Sequence, residues 1–280
     1  MKYKGREGSR NVQDRRGGGK TGMALGGGAI IIVLIALLLG QDPTQLLEAT
    51  QAPAGTEEAY VSSAAEDELM EFIAVALKDN EDVWHAIFEK ELNRQYKEPQ
   101  LIVFNGRVQS ACGVATAATG PFYCPGDDNV YLDLSFFDEL SRRFGAPGDF
   151  AMAYVIAHEV GHHVQHLLGI TDQVDQYRGK VSEQEYNALS VRLELQADFF
   201  AGVWANHADA MHDILDPGDI EEALRAANAI GDDRLQQQSQ GYVVPDAFTH
   251  GTSEQRMRWF KKGYETGDVN KGDTFSATYL

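Results

Sequence analysis

Two histidines separated by three residues, with a glutamate after the first, offer the clearest chemistry in this chain: His158-Glu159-Val160-Gly161-His162. On a helix, positions i and i+4 lie about 40° apart around the axis and one turn apart along it. Both imidazoles can therefore close on a single ion. Glu159 then projects beside that ion, where it can take a proton from a water the metal activates. This is the arrangement with which a zinc peptidase attacks an amide.

Catalytic zinc takes three protein ligands and keeps one position open. The third ligand must come from elsewhere in the chain. One established solution extends the motif with Gly at 165 and His at 168, but here those positions hold Gln165 and Leu168. The other solution is a carboxylate from a later helix. Glu194 and Asp198 stand at i and i+4 in an otherwise apolar stretch, Leu193, Leu195, Ala197, Phe199 and Phe200. Carboxylates buried there without partners would be costly. A metal for Glu194, and the free ring N–H of a ligand histidine for Asp198, would account for both.

Two further histidines follow. His163 points about 100° away from His162 and is expected outside the ligand set. His166, one turn further along, could supply a fourth ligand in a closed site. His250, after a loop containing Pro245, can reach into a cleft and hydrogen-bond the oxyanion of a tetrahedral intermediate. Arg256 could orient it or pair with an acid.

The elements that must position these groups read as mainly helical with a small sheet. The apolar spacing around the first motif predicts a buried helix over 149–168. Ser182 with Glu185 three residues on forms a capping box that opens a helix through about His207. Shorter helices are expected over 64–78, again after Asp79-Asn80, from Ser135, from Asp219 to about Leu235, and from Thr252 or Ser253. Strands are expected at Leu101–Phe104 and at Asn129–Leu134, the latter half-exposed and able to act as an edge against which an extended peptide pairs.

Hydrophobic content of 43% is that of a globular core. The net charge of −18 is unevenly placed: residues 1–21 carry seven basic against two acidic side chains, so the remainder carries −23. That balance argues against nucleic acid as a partner. Residues 1–21 read as a basic, disordered cytoplasmic tail, 22–40 as an uncharged transmembrane anchor, 41–58 as a linker and 59–280 as the catalytic domain. A cleaved signal peptide or a buried core helix are the rival readings of 22–40. With the basic flank N-terminal, the body is expected outside the cytoplasm, single-pass in a bacterial inner membrane. The two cysteines, Cys112 and Cys124, then suit one disulfide across an Ala-, Thr- and Gly-rich loop; free thiols or metal ligands are the alternatives.

Several segments together carry a resemblance. They are Arg6…Ser9…Asn11-Val12…Asp14-Arg15-Arg16-Gly17, Cys112-Gly113, Gly120-Pro121-Phe122-Tyr123-Cys124-Pro125 and Val130-Tyr131-Leu132-Asp133. To these are added His158-Glu159-Val160-Gly161-His162-His163-Val164-Gln165, Glu194-Leu195-Gln196-Ala197-Asp198 and His250-Gly251-Thr252. The chain resembles, over nearly its whole length, the bacterial putative neutral zinc metallopeptidase family. The resemblance implies an α+β, mainly helical, zincin-like domain of gluzincin type. It further implies one Zn2+, a membrane anchor, and a protein or peptide substrate. His250…Arg256 is similar to the His-Pro…Arg element of other membrane peptidases, with Gly251 in place of the proline. A non-catalytic anchored scaffold or partner-binding protein with a structural zinc, and a hydrolase of non-peptide amides, are the competing functional readings.

Overall fold

The computed structural model describes residues 1–17 and 60–280. Met1–Arg15 and Ser63–Leu280 form one compact unit. In chain order it contains β1 (Val12–Asp14), α1 (Ala64–Lys90), β2 (Gln100–Phe104), β3 (Arg107–Ser110), β4 (Gly113–Thr116), β5 (Phe122–Cys124) and β6 (Asn129–Asp133). There follow α2 (Ser135–Arg142), α3 (Asp149–Leu167), α4 (Ile170–Asp175), α5 (Glu183–His212), α6 (Asp219–Ala229), α7 (Asp232–Gln240) and α8 (Ser253–Thr266).

The main sheet runs β1-β2-β6-β5, with β1, β2 and β6 parallel and β5 antiparallel at the edge. β3 and β4 form a separate hairpin. β6 is therefore interior, and its last four residues are buried. The expected half-exposed edge strand is corrected: β6 is hydrogen-bonded on both sides, and β1 and β5 are the edge strands.

Residues 1–15, expected as part of a disordered tail, belong to the fold. Val12, Gln13 and Asp14 pair in register with Leu101, Ile102 and Val103. Arg6 clamps the buried carboxylate of Asp79 through both terminal guanidinium nitrogens. Asn11 Nδ2 donates to Glu81 at 2.8 Å. These bonds explain a second correction. α1 runs unbroken through Asp79-Asn80, because Arg6 compensates Asp79 and Asn80 Nδ2 bonds the Ala76 carbonyl at 2.8 Å. Polar residues that read as a break thus find partners for the Asp79 carboxylate and the Asn80 amide nitrogen.

The same pairing overturns the single-pass topology. Sequence before the apolar segment and sequence after it lie in one sheet, whereas a single crossing between them would leave them on opposite sides of a bilayer. No helix among the described residues is long and apolar enough to cross a membrane. The anchor expected over 22–40, and the linker over 41–58, lie outside the described residues. The expectations of one transmembrane helix ahead of the domain, and of a cytoplasmic N-terminus with an extracytoplasmic body, are withdrawn.

The helices pack through small residues. α5 and α8 cross with their backbones in contact: a Cβ on Gly202 would lie 2.0 Å from the Phe260 carbonyl oxygen, and one on Gly263 2.0 Å from that of Phe199. Around this crossing Trp84, Phe150, Tyr154, Phe199, Trp204 and Phe260 are fully buried, each side chain of this size contributing roughly 2–3 kcal/mol. The helix expected from Asp219 to Leu235 divides into α6 and α7 at Ile230-Gly231. A Cβ at Gly231 would meet the Ser253 amide nitrogen at 2.4 Å, so the chain passes there only as glycine. Cys112 and Cys124 are joined in a disulfide that ties the β3–β4 turn to the end of β5.

Candidate metal centre

α3 and α5 meet at Gly161, where an added Cβ would lie 3.0 Å from the Ala197 carbonyl oxygen and 3.2 Å from its Cα. This close approach sets the histidines of α3 against the carboxylates of α5. His158 Nε2 lies 3.2 Å from Glu194 Oε2, and His162 Nε2 lies 3.5 Å from Glu194 Oε1. One ligand atom from each of the three residues falls within 4.8 Å of the others.

The outward nitrogens are committed elsewhere. His158 Nδ1 is 2.8 Å from Asp198 Oδ1, and His162 Nδ1 is 2.9 Å from Gln165 Oε1. Acceptors at both Nδ1 atoms favour the tautomer that leaves both Nε2 lone pairs facing Glu194. Asp198 is held in turn by Arg256, from Nε at 2.8 Å and from a terminal nitrogen at 2.9 Å, and by the Tyr154 hydroxyl. Arg256 therefore pairs with an acid rather than orienting His250. It can do so because the α5–α8 crossing brings the first turn of α8 beside Asp198.

The electrostatics fit a cation. Burial opposes ionisation of Glu194, yet the facing His162, His250 and His158 hold its carboxyl well below the usual carboxylate range. Burial likewise opposes the charge on Asp198, but Arg256 and His158 bring it down to about 2. The Arg256 guanidinium thus pairs with Asp198, while the half-buried Glu194 faces the histidines. Burial disfavours charge on His158, but Asp198 and Glu194 outweigh it and push the imidazole up to about 10. The field that draws a proton to this point equally favours a metal ion. Two imidazole nitrogens and a carboxylate form a zinc-type donor set.

Glu159 is buried, and its carboxylate makes no hydrogen bond or ion pair among the described residues. His250 stands outside the ligand cluster but close to it. A Cβ at Gly251 would lie 3.2 Å from Val191 and 3.4 Å from Leu195, so the His250 loop rests on the turn of α5 that carries Glu194. The Glu194 charge raises the His250 pKa above its ordinary value, with Asp232 assisting. Asp232 organises the loop: its carboxylate accepts from the amides of Thr249 (2.7 Å), His250 (2.6 Å) and Gly251 (3.1 Å) and lies 3.1 Å from His250 Nδ1. Gly251 has φ +90°, which proline cannot adopt. The departure from His-Pro thus has a backbone cause in this chain.

The other histidines of α3 serve elsewhere. His163 is fully buried, with Nε2 2.6 Å from the Lys97 carbonyl oxygen and Nδ1 3.1 Å from the Tyr123 hydroxyl. His166 turns toward Asp128, 3.5 Å away, and is not a fourth ligand. Sequence reasoning missed Tyr154, Gln165 and Asp232. Tyr154 and Gln165 carried a usable signal, since each stands one turn from a ligand histidine on the same face of α3, at i−4 from His158 and i+3 from His162. Asp232 had none, because it is 18 residues from His250 and reaches it only across the α6–α7 break.

No solved structure matches the chain. It is 50% identical to a relative named uncharacterized protein YpfJ, from Escherichia coli strain K12, over 98% of this chain and 99% of that one. It is 40% identical to the uncharacterized protein Rv2575 of Mycobacterium tuberculosis, over 88% of this chain and 86% of the relative. The family model described as putative neutral zinc metallopeptidase matches residues 1–275. With that model spanning almost all of the sequence, the chain belongs to the putative neutral zinc metallopeptidase family.

Proposed function

We propose that this chain is an endopeptidase that uses one zinc ion, held by His158, His162 and Glu194, to hydrolyse peptide bonds in a protein or peptide substrate. The observation that carries the reading is the set of two Nε2 atoms and one carboxylate facing each other, with both Nδ1 atoms occupied by acceptors. Zinc, when bound, supplies a Lewis acid that polarises a substrate carbonyl and acidifies water.

The remaining chemistry falls to the chain's own groups. The unengaged Glu159 carboxylate takes the proton from the attacking water and passes it to the nitrogen of the leaving amine. His250, fixed by Asp232 through Nδ1, presents Nε2 as a donor to the developing oxyanion. Donation from Nε2 requires the protonated ring, a form that the Asp232 carboxylate beside Nδ1 favours. The free edge of β5 gives an extended peptide backbone hydrogen-bonding groups. That edge lies beside α3, since Tyr123 contacts His163. Three protein donors rather than four among the described residues favour a catalytic over a structural zinc.

The test compares wild type with Glu159→Gln on an unfolded protein substrate, with zinc content measured in both. Equal zinc, and hydrolysis reduced about 10²- to 10⁴-fold in the variant, is expected. Equal hydrolysis by the two proteins would sink the proposal.

A further inference from the structure

The two candidate ligand histidines are backed differently. His158 Nδ1 faces a carboxylate that Arg256 neutralises, whereas His162 Nδ1 faces a neutral amide, Gln165. An amide can present either its oxygen or its nitrogen, so Gln165 alone would not fix the ring. Its surroundings remove the choice.

Gln165 Nε2 lies 2.6 Å from the Leu193 carbonyl oxygen, which can only accept. The same nitrogen lies 3.1 Å from Gln196 Oε1. Gln196 is fixed in its turn, because its Nε2 lies 2.8 Å from the Gly272 carbonyl oxygen. Starting from two backbone carbonyls, every donor and acceptor is then determined. Gln196 donates to Gly272 and accepts from Gln165. Gln165 donates to Gln196 and Leu193, so its oxygen must face His162. His162 must carry its proton on Nδ1, and Nε2 keeps the lone pair that faces Glu194. Gln165 is fully buried and Gln196 nearly so, so water does not offer a competing partner.

The far end is anchored as firmly. A Cβ at Gly272 would lie 2.5 Å from the Phe199 ring, so the backbone there is pressed onto α5. Thr274 Oγ1 donates to the Arg192 carbonyl at 2.6 Å. The Arg192 guanidinium donates back to the carbonyls of Thr274, Phe275 and Ala277. We infer that Gln165 and Gln196 are positioning residues that lock the tautomer of His162, with the C-terminal segment from Gly272 supplying the fixed end of the relay. The inference rests on zinc binding at His158, His162 and Glu194.

The experiment measures zinc affinity of the full chain by chelator competition, starting from metal-free protein. The proteins compared are wild type, Glu194→Ala, Gln165→Leu, Gln165→Glu and Gln196→Leu. Gln165→Leu keeps the volume and removes the acceptor, and is expected to weaken zinc about 10- to 100-fold. Gln165→Glu in its protonated form keeps both an acceptor for Nδ1 and a donor for the Leu193 carbonyl, so at a pH where it is protonated affinity should return toward wild type. A merely structural role would be disturbed by both. Gln196→Leu, which does not touch His162, should weaken zinc in the same direction as Gln165→Leu. Cooperative unfolding of each metal-free variant shows that it folds; if Gln165→Leu does not, Gln196→Leu carries the test. If Glu194→Ala loses zinc while Gln165→Leu and Gln196→Leu stay within about 2-fold of wild type, or if Leu and Glu at 165 weaken it alike at a pH where Gln165→Glu is protonated, the relay is refuted. Unchanged zinc in Glu194→Ala would refute the metal site itself.

Discussion

Arg256→Met tests the buried pairing on which the metal centre stands. Arg256 is 2% exposed and Asp198 fully buried, with two nitrogen–oxygen contacts at 2.8 and 2.9 Å. Methionine fills much of the volume and leaves Asp198 facing only the Tyr154 hydroxyl and His158 Nδ1. Removing one partner of a buried pair costs about 3–5 kcal/mol, because an uncompensated charge remains in the interior. An exposed pair would cost about 1 kcal/mol or less. Urea unfolding of metal-free protein separates the two cases. With a slope near 3 kcal/mol per molar, the midpoint should fall by about 1–1.7 M. Asp198→Asn alone should also destabilise, since it leaves Arg256 unpaired. The double variant should recover much of the loss, with a coupling energy of about 2 kcal/mol or more. A midpoint for Arg256→Met within about 0.3 M of wild type would show that solvent or His158 already compensates Asp198, and would refute the argument.

Gly161→Ala should destabilise by about 1–3 kcal/mol, although alanine is the better helix former by about 1 kcal/mol, because the added Cβ meets the Ala197 backbone. Chemical unfolding checks the sign, and a gain in stability would contradict the close approach of α3 and α5. Reducing the Cys112–Cys124 disulfide should cost about 3 kcal/mol, from the 12-residue separation it closes; unfolding with and without reductant measures this. Burial pushes His163 down to about 4 from an ordinary 6.5. A depressed folded-state pKa gives stability that is complete above about pH 6.5 and lost as pH falls toward 4, because only the unfolded chain takes up the proton. The difference in unfolding free energy between wild type and His163→Gln should change by about 3 kcal/mol across that window. A flat difference would show that the folded protein protonates His163 without cost.

The helices of the site could be read from local pattern. The apolar spacing from Asp149, and the Ser182 capping box with Glu185, correspond to α3 and α5 within a few residues at each end. Asp79-Asn80 misled the reading because their neutralising partners lie far away in sequence: Arg6 precedes Asp79 by 73 residues. β1 was illegible for the same reason. A three-residue strand in a basic, glycine-rich stretch has almost no propensity signal, and it exists because Leu101–Val103 offers an unpaired edge. β6 was assigned to an exposed edge because alternation in Asn129–Leu134 resembles a half-solvated strand. Its polar Asp133 is instead buried, and its carboxylate accepts from the amides of Gly106 and Ser135.

The sequence by itself determined the chemical types at the centre and their spacing along each helix. His158 with His162, and Glu194 with Asp198, are i,i+4 pairs, and the 3.6-residue period places each pair on one face whatever else the chain does. Only the tertiary structure decided which ring nitrogens face Glu194, that Arg256 serves Asp198, and that Asp232 holds His250. It also decided that the first 15 residues share a sheet with the domain. The physical reason is one of range. Helical period is set by backbone bonds four residues apart. Tautomer, charge compensation and strand partnership depend on groups tens of residues distant, whose approach is fixed by burial and by close contacts such as Gly161 on Ala197 and Gly202 on Phe260.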